Sequence, residues 1–357
     1  MFKRVYVSEL NVFLSFKNGK LHDYKGNPAV IYMITPYKYE FEHWFEGRRH
    51  HDKNYALSHE NSFLKIRNGK VDVFNRKYNY EIDDFEYNAI ENFHEYIPHL
   101  QKTFHVLNQI PLEKLGIKHR EIVDSSEKDT IKIYYNGIQH SEIGPSELRK
   151  NGTSVYYQYG VKHCEHGPAV DDKLTQSKFY YFYGILHNDN GPAFIRMKNN
   201  SIMTGWMIYG LMNNTENPSF VKEGLKDTEE EGNSFVAWYK DGCYHRVNGP
   251  AIIFKSEMYN FHEEFYYNEG KMHNLRGASI VSMDKSQLKV NRRDYYIDDV
   301  KYSKKEYQKI VKLIRKFTYK LLTPIRKRLY EIITNETNKY SSTFCKDVVN
   351  KICEYIY

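Results

Sequence analysis

Residues 155–170 read VYYQYGVKHCEHGPAV, and twenty-four residues on, at 179–194, the chain reads FYYFYGILHNDNGPAF. The shared frame is an aromatic run, a Gly, a His three residues later, and Gly-Pro-Ala four residues after that. Such a frame marks either a chemical site or a structural unit copied along the chain, and recurrence decides between them. Alignment on the glycine gives copies at Gly137, Gly160, Gly184, Gly210, Gly242 and Gly270, spaced 23 to 32 residues apart. The third residue onward is His140, His163, His187, Asn213, His245 or His273. The tripeptide follows at Gly144-Pro145, Gly167-Pro168, Gly191-Pro192, Asn217-Pro218, Gly249-Pro250 and Gly277-Ala278. Two more copies open the chain. One keeps Gly19, His22 and Pro28 with Asn27 inserted; the other keeps Gly47 and His50 but has lost its tripeptide. A worn copy surrounds Gly69, and DYYIDDVKYSKKEY at 294–307 begins a last one that breaks off after Tyr296.

Each part of the unit has a mechanical reading. The short aromatic run is β-prone and reads as a strand. The glycine ends it at positive φ, and Gly-Pro restarts the chain into a second strand, where proline suits the first position. A lone hairpin cannot bury its own face, so neighbours must stack. The expected fold is mainly β with helical additions: an elongated, twisted antiparallel sheet of stacked hairpin repeats.

The pattern resembles the MORN-type repeat and, more closely, the G-x-x-H-x-x-x-G-P-A variant repeats found in proteins of giant DNA viruses and some phages. Gly160, His163, Gly167, Pro168 and Ala169 match that core, as do their counterparts at 184–193 and 242–251; the resemblance spans roughly residues 13–70 and 131–302. The stretch YYIDDVKYSKKEYQKIVKLIRKF also looks like the closing segment of such viral proteins. The chain lacks the standard MORN Tyr-x-Gly and His-Gly-x-Gly layout, so the lipid binding reported for MORN proteins transfers only weakly. The resemblance implies a viral repeat scaffold and names no reaction.

Bulk composition agrees with a thin structure. Mean hydropathy is −0.72 and hydrophobic content 41%, yet the chain carries 33 Tyr and 20 Phe, which suits much exposed area around a narrow aromatic core. The four cysteines, Cys164, Cys243, Cys345 and Cys353, form no C-x-x-C pair and read as free thiols of a reducing compartment. No signal-peptide pattern and no apolar run of membrane-spanning length is present, so the expected location is intracellular, in host cytoplasm or virion. Residues 301–328 hold eleven Lys/Arg against one Glu, so the net charge of +7 is concentrated there.

The period breaks at 83–117, where Phe85, Ile90, Phe93 and Ile97 recur at helical spacing and Pro98 and Pro111 punctuate, predicting two short helices. After residue 302, Tyr307, Ile310, Val311, Ile314, Phe317, Leu321 and Leu322 fall on one helical arc, with Lys305, Lys309, Lys312, Lys316 and Lys320 opposite. Arg315, Arg326, Lys327 and Arg328 extend the basic character, and a last helix is predicted over about 342–356. The expected organisation is therefore degenerate hairpin repeats over 1–82, a helical insertion over 83–117, the central array over 118–302 and basic amphipathic helices over 303–357.

The histidine column is the obvious place to look for metal or acid–base chemistry. Equivalent residues of successive hairpins lie about 9–10 Å apart, whereas ligands of one zinc need ring nitrogens about 3–3.5 Å apart. The column is expected to hydrogen-bond its turns instead. Phosphate-loop and nucleophile-elbow motifs are absent, and Cys164 and Cys243 have no assignable catalytic partner. No catalytic residue, metal or cofactor is assigned. The expected function is a non-enzymatic scaffold that binds a protein through its sheet. The alternative is an adaptor that docks on nucleic acid or an anionic membrane through the basic residues of 303–328; a hydrolase built from turn His and Cys is disfavoured.

Overall fold

The computed structural model describes residues 1–35, 38–50, 97–125, 129–214, 216–284, 286, 289–318 and 328, together with the backbone of short strands at 57–59, 62–67, 70–72, 81–82 and 85–86. Two antiparallel sheets run through them, an 8-stranded one over Phe2–Asp72 and a 16-stranded one over Arg120–Tyr302.

One repeat shows how the unit is made. The strand Ser177–Phe179 lies in the large sheet and leaves it at Tyr180, whose N–H donates to Ala193 O at 2.8 Å. The chain continues as Tyr181–Phe182, turns at Tyr183-Gly184 and returns as Ile185–Leu186. Both turn residues have positive φ, 43° and 89°, the combination that matches the right-handed twist of a two-residue hairpin. After His187 and the Gly191-Pro192 bend, Phe194–Lys198 re-enters the large sheet beside Ser177–Phe179. The residues between the turn glycine and Gly-Pro therefore hold half of a second hairpin, which the reading of one strand on each side did not include. The bend explains why FYYFYG is aromatic on both faces: Phe179 belongs to the sheet, Tyr181 is buried, and Tyr183 sits at the turn.

These small hairpins form a second row along the sheet. The turn glycine of each donates to the returning strand before it: Gly184 N–H to Lys162 O (2.6 Å), Gly210 to Leu186 O (2.9 Å), Gly242 to Met212 O (2.9 Å) and Gly270 to Tyr244 O (2.9 Å). Tyr181, Leu186, Met207, Met212 and Tyr239 of the hairpins pack with Phe194, Phe220, Ala237 and Ile252 of the sheet in one core cluster. The core thus fills the angle between the two rows. The last residue of each tripeptide lies at the bend: Ser146, Ala169, Ala193, Ser219, Ala251 and Ser279 are all fully buried, which leaves space for only a small side chain. The final copy does not stop at Tyr296. It closes a hairpin, Tyr295–Ile297 against Val300–Tyr302, with Asp298 and Asp299 at positive φ and Asp299 in the place where other copies carry glycine; short acidic side chains are among the few that tolerate this conformation.

The N-terminal repeats are interleaved with the central ones rather than laid end to end with them. Leu21 N–H donates to Gly137 O, Gln139 N–H to Gly47 O, and Arg49 N–H to Gly160 O, at 2.8–3.2 Å. Over this zipper folds helix α1, Ile97–Asn108, whose Phe104 and Leu107 join Leu14, Phe16, Leu21, Trp44 and Ile138 in a second core. Pro98 is inside the first turn of α1 rather than at its border, as its missing N–H allows. The second expected helix is a single 3-10 turn, Leu112–Leu115, and Phe85 lies in a two-residue strand. Ile90, Phe93, Gly69, Leu321, Leu322 and the helix predicted over 342–356 lie outside the described residues.

Candidate functional site: the repeat turns and the C-terminal cap

The repeat histidine points forward along the array. Nδ1 of His22 accepts the backbone N–H of Glu46, and Nδ1 of His140, His163, His187 and His245 accepts that of Tyr159, Tyr183, Tyr209 and Glu269, all at 3.1–3.3 Å. Each donor is the first residue of the next turn, whose N–H cannot pair within its own hairpin. Two copies differ in a correlated way. Asn213 donates to the Asp241 carboxylate at 3.0 Å, and His273 Nδ1 meets the Asp298 carboxylate at 2.9 Å. The contact becomes side chain to side chain where the next turn opens with Asp. Aromatic stacking reinforces the backbone form: His163 lies over Tyr183 with centroids 4.0 Å apart and planes within 11°, and His187 over Tyr209 at 4.3 Å and 7°. His50 packs its ring against Phe45.

In four of these rings burial disfavours the charged form. Burial pushes His140 down to about 4 and lowers His163, His22 and His245. With Nδ1 accepting, Nε2 carries the proton, and Nε2 of His140 and of His163 is buried without a hydrogen-bond partner. A carboxylate two residues on, Glu142 or Glu165, stands 3.9 or 3.7 Å away. That is too long for a hydrogen bond, whereas Nδ1 of each ring is engaged by the next turn. Among the described residues no three of His, Cys, Asp and Glu gather where they could hold a metal ion. Cys164 and Cys243 form no disulfide, and the second is buried.

The tripeptide glycines differ from the turn glycines. Gly144 has φ +78°, whereas Gly167 and Gly191 have no positive φ and a methyl group added at Gly167 would meet nothing within 4 Å. Gly160, by contrast, combines φ +76° with Trp44 at 2.5 Å from such a methyl group, and Gly47 and Gly137 are pressed by backbone carbonyls at 2.7 and 2.6 Å. Glycine is demanded there by the interleaved array as well as by the turn.

The basic segment begins as helix α2, over 304–318. Ser303 and Glu306 cap it reciprocally, Glu306 N–H to Ser303 Oγ at 3.3 Å and Ser303 N–H to the Glu306 carboxylate at 3.0 Å. Tyr307 and Val311 are buried against the last repeat, and Tyr307 Oη donates to Asn274 O at 2.8 Å. Lys305, Lys309, Lys312, Arg315 and Lys316 are exposed. Phe317, expected on the apolar arc, is 70% exposed. Arg328 is exposed, and Lys320, Arg326 and Lys327 lie outside the described residues.

Two features escaped the sequence reading. On the sheet face opposite the core, Ile195, Thr204, Val221, Val236 and Ile253 stand opposite one another on successive strands. All are half-exposed and belong to neither core cluster. The second is a buried polar cluster under α1. The Glu42 carboxylate accepts from Trp44 Nε1 (2.9 Å) and Thr103 Oγ1 (2.7 Å) and pairs with Arg49 at 3.3 Å, while Arg49 also donates to Leu100 O. Alternation along the strands could have revealed the first, but the second joins residues about sixty apart in sequence with no local signal. Among the described residues no helix is long and apolar enough to cross a membrane. No protein-family model matches the chain, and no curated protein matches it.

Proposed function

We propose that this protein is a non-enzymatic repeat scaffold that holds a protein partner on the outer face of its large sheet. The observation that carries the proposal is the register-aligned row Ile195, Thr204, Val221, Val236 and Ile253. Four aliphatic side chains and one threonine make a half-exposed strip free of charge, as an interface centre is. Consumption of the repeat histidines by their neighbours' turns supports a structural role for the motif that resembles viral MORN-type repeats. A photocrosslinking residue at Val221 tests the proposal in the producing cell. The expected result is one discrete adduct, lost when Val236→Lys is added to a chain whose circular dichroism is unchanged. Absence of an adduct, or its persistence in the Val236→Lys chain, would sink the idea.

A second reading rests on Lys305, Lys309, Lys312 and Lys316, exposed on α2. It makes the helix an electrostatic dock for nucleic acid or an anionic membrane. It requires binding that weakens steeply with salt and disappears on truncation after residue 302.

A further inference from the structure

Where α2 lies against the last repeat it leaves two adjoining clefts, of about 280 and 500 Å³. Arg246, Arg276 and Arg315 line the first; Arg276, Arg293, Lys312 and Arg315 line the second. The cations come from separate elements: Arg246 and Arg276 from the bends that follow two repeat histidines, Arg293 from a strand, and Lys312 and Arg315 from α2. Among the described residues no carboxylate lines either cleft. Gathering like charges in a concavity raises the potential inside it and favours an anion there.

The guanidinium groups are held in place without being used up. Arg246 lies 3.6 Å from the centroid of the Trp238 ring and donates to Pro250 O. Arg276 donates to Asn248 Oδ1, and Arg315 to Leu275 O. Each has one such bond and keeps other N–H donors for a ligand. Two carboxylates stand behind the lining: Glu264 is engaged by His262 and Tyr266, and Asp298 by His273. Arg276 and Arg315 are exposed at the mouth.

We infer that this double cleft is a binding site for a compact, multiply charged phosphate group, either a small polyphosphate or a polyphosphorylated headgroup. The planar guanidinium fork matches phosphate oxygens in pairs, and cations converging from a bend, a strand and a helix suit several phosphates held close together. A nucleic-acid duplex needs cations spread along a surface that follows its backbone, and it does not enter a cleft of this size. The inference does not rest on the sheet-face reading, and of the exposed lysines of α2 it uses only Lys312.

The test is calorimetric titration of the full chain with inorganic tripolyphosphate, with vesicles carrying a bisphosphorylated inositol lipid as a second arm. Saturable binding to one site is expected, weakened about tenfold or more by Arg276→Gln or Arg315→Gln. Both positions are exposed, so these variants should keep the parent's melting temperature. The triple variant Lys305→Gln, Lys309→Gln, Lys316→Gln should bind within about twofold of the parent, since a screened surface charge contributes little. Binding to tripolyphosphate alone assigns a free ligand; vesicle binding competed by tripolyphosphate assigns a headgroup. The inference is overturned if the folded chain binds neither probe, if the lysine variant loses binding while the arginine variants keep it, or if duplex DNA is bound while tripolyphosphate fails to compete.

Discussion

Nδ1 of His163 accepts the backbone N–H of Tyr183 at 3.1 Å while the two rings lie face to face at 4.0 Å. One side chain thus satisfies the otherwise unpaired donor of the next turn and covers that turn's first residue. Repeated with His140, His187 and His245, the contact links each unit to its successor and gives the array its one-dimensional cohesion.

Replacing His163 by Leu removes the acceptor and leaves a partly buried N–H unpaired, which costs about 1–2 kcal/mol. His163→Asn alone should also destabilise, because Asn213 works by donating to Asp241 rather than by accepting from the backbone. Adding Tyr183→Asp to His163→Asn should recover part of the loss. A double-mutant cycle in urea checks this, and strict additivity of the two changes would refute the pairing rule.

Stability should fall as pH drops from 7 toward 5. The folded chain holds His140 down to about 4 against an ordinary 6.5, with burial as the cause. Between these values the unfolded chain binds the proton and the folded chain does not, so the stabilisation is complete above about 6.5 and is lost progressively down to about 4. His140 alone contributes up to about 3 kcal/mol across that window, and His163, His22 and His245 act in the same direction. Denaturation midpoints at pH 7, 6 and 5 provide the measurement, and a His140→Asn chain should show the shallower slope. Equal slopes would remove His140 from the account.

Two glycines of one repeat should behave oppositely. Gly160→Ala forces a side chain into left-handed backbone and against Trp44, costing about 2–5 kcal/mol. Gly167→Ala meets open space at ordinary φ and should fall within about 1 kcal/mol of the parent. Similar melting temperatures for both would contradict the interleaved arrangement of the N-terminal and central repeats.

The tripeptide's last residue should accept Ser and reject Val. Ser219 Oγ accepts the Tyr239 N–H at 2.9 Å, so Ala193→Ser can bond in the same manner toward Met207 and should cost under about 1 kcal/mol. Ala193→Val overfills a fully buried bend and should cost about 1–3 kcal/mol. Unfolding by denaturant separates the two outcomes.

Removing half of the buried pair under α1 should be worse than removing both. Arg49→Met strands the Glu42 carboxylate and should cost about 3–5 kcal/mol, whereas Arg49→Met with Glu42→Gln should regain much of it. If the double change is no better than the single one, the pair is not acting as a unit.

The local physics of the unit was legible in the chain. Aromatic runs closed by Asn-Gly, Tyr-Gly or Asp-Gly dictate short hairpins, because the following glycine accepts positive φ without strain. The spacing of Gly160, His163 and Pro168 repeated at 184–192 and 242–250 dictated stacking, since one hairpin has too little area to bury. Tyr307 and Val311 fixed the docked side of α2 by their helical period. Only tertiary structure decided the rest. That the Gly19 and Gly47 turns alternate with those of Gly137 and Gly160 follows from backbone hydrogen bonds between residues 92 to 116 positions apart, Gln139 to Gly47 and Leu21 to Gly137. Any hairpin turn offers such bonds equally, so no side chain announces them. Asp299 could stand in for glycine because the fold supplied Met272 N–H to its carboxylate. Phe317 stayed in water because, among the described residues, the contacts of α2 with Asn274, Leu275 and Tyr295 are made by Tyr307 and Arg315. The arginines of the C-terminal cleft, spread over 246–315, became neighbours for the same reason: the sequence sets each element's period, and the packing of elements sets which side chains share one space.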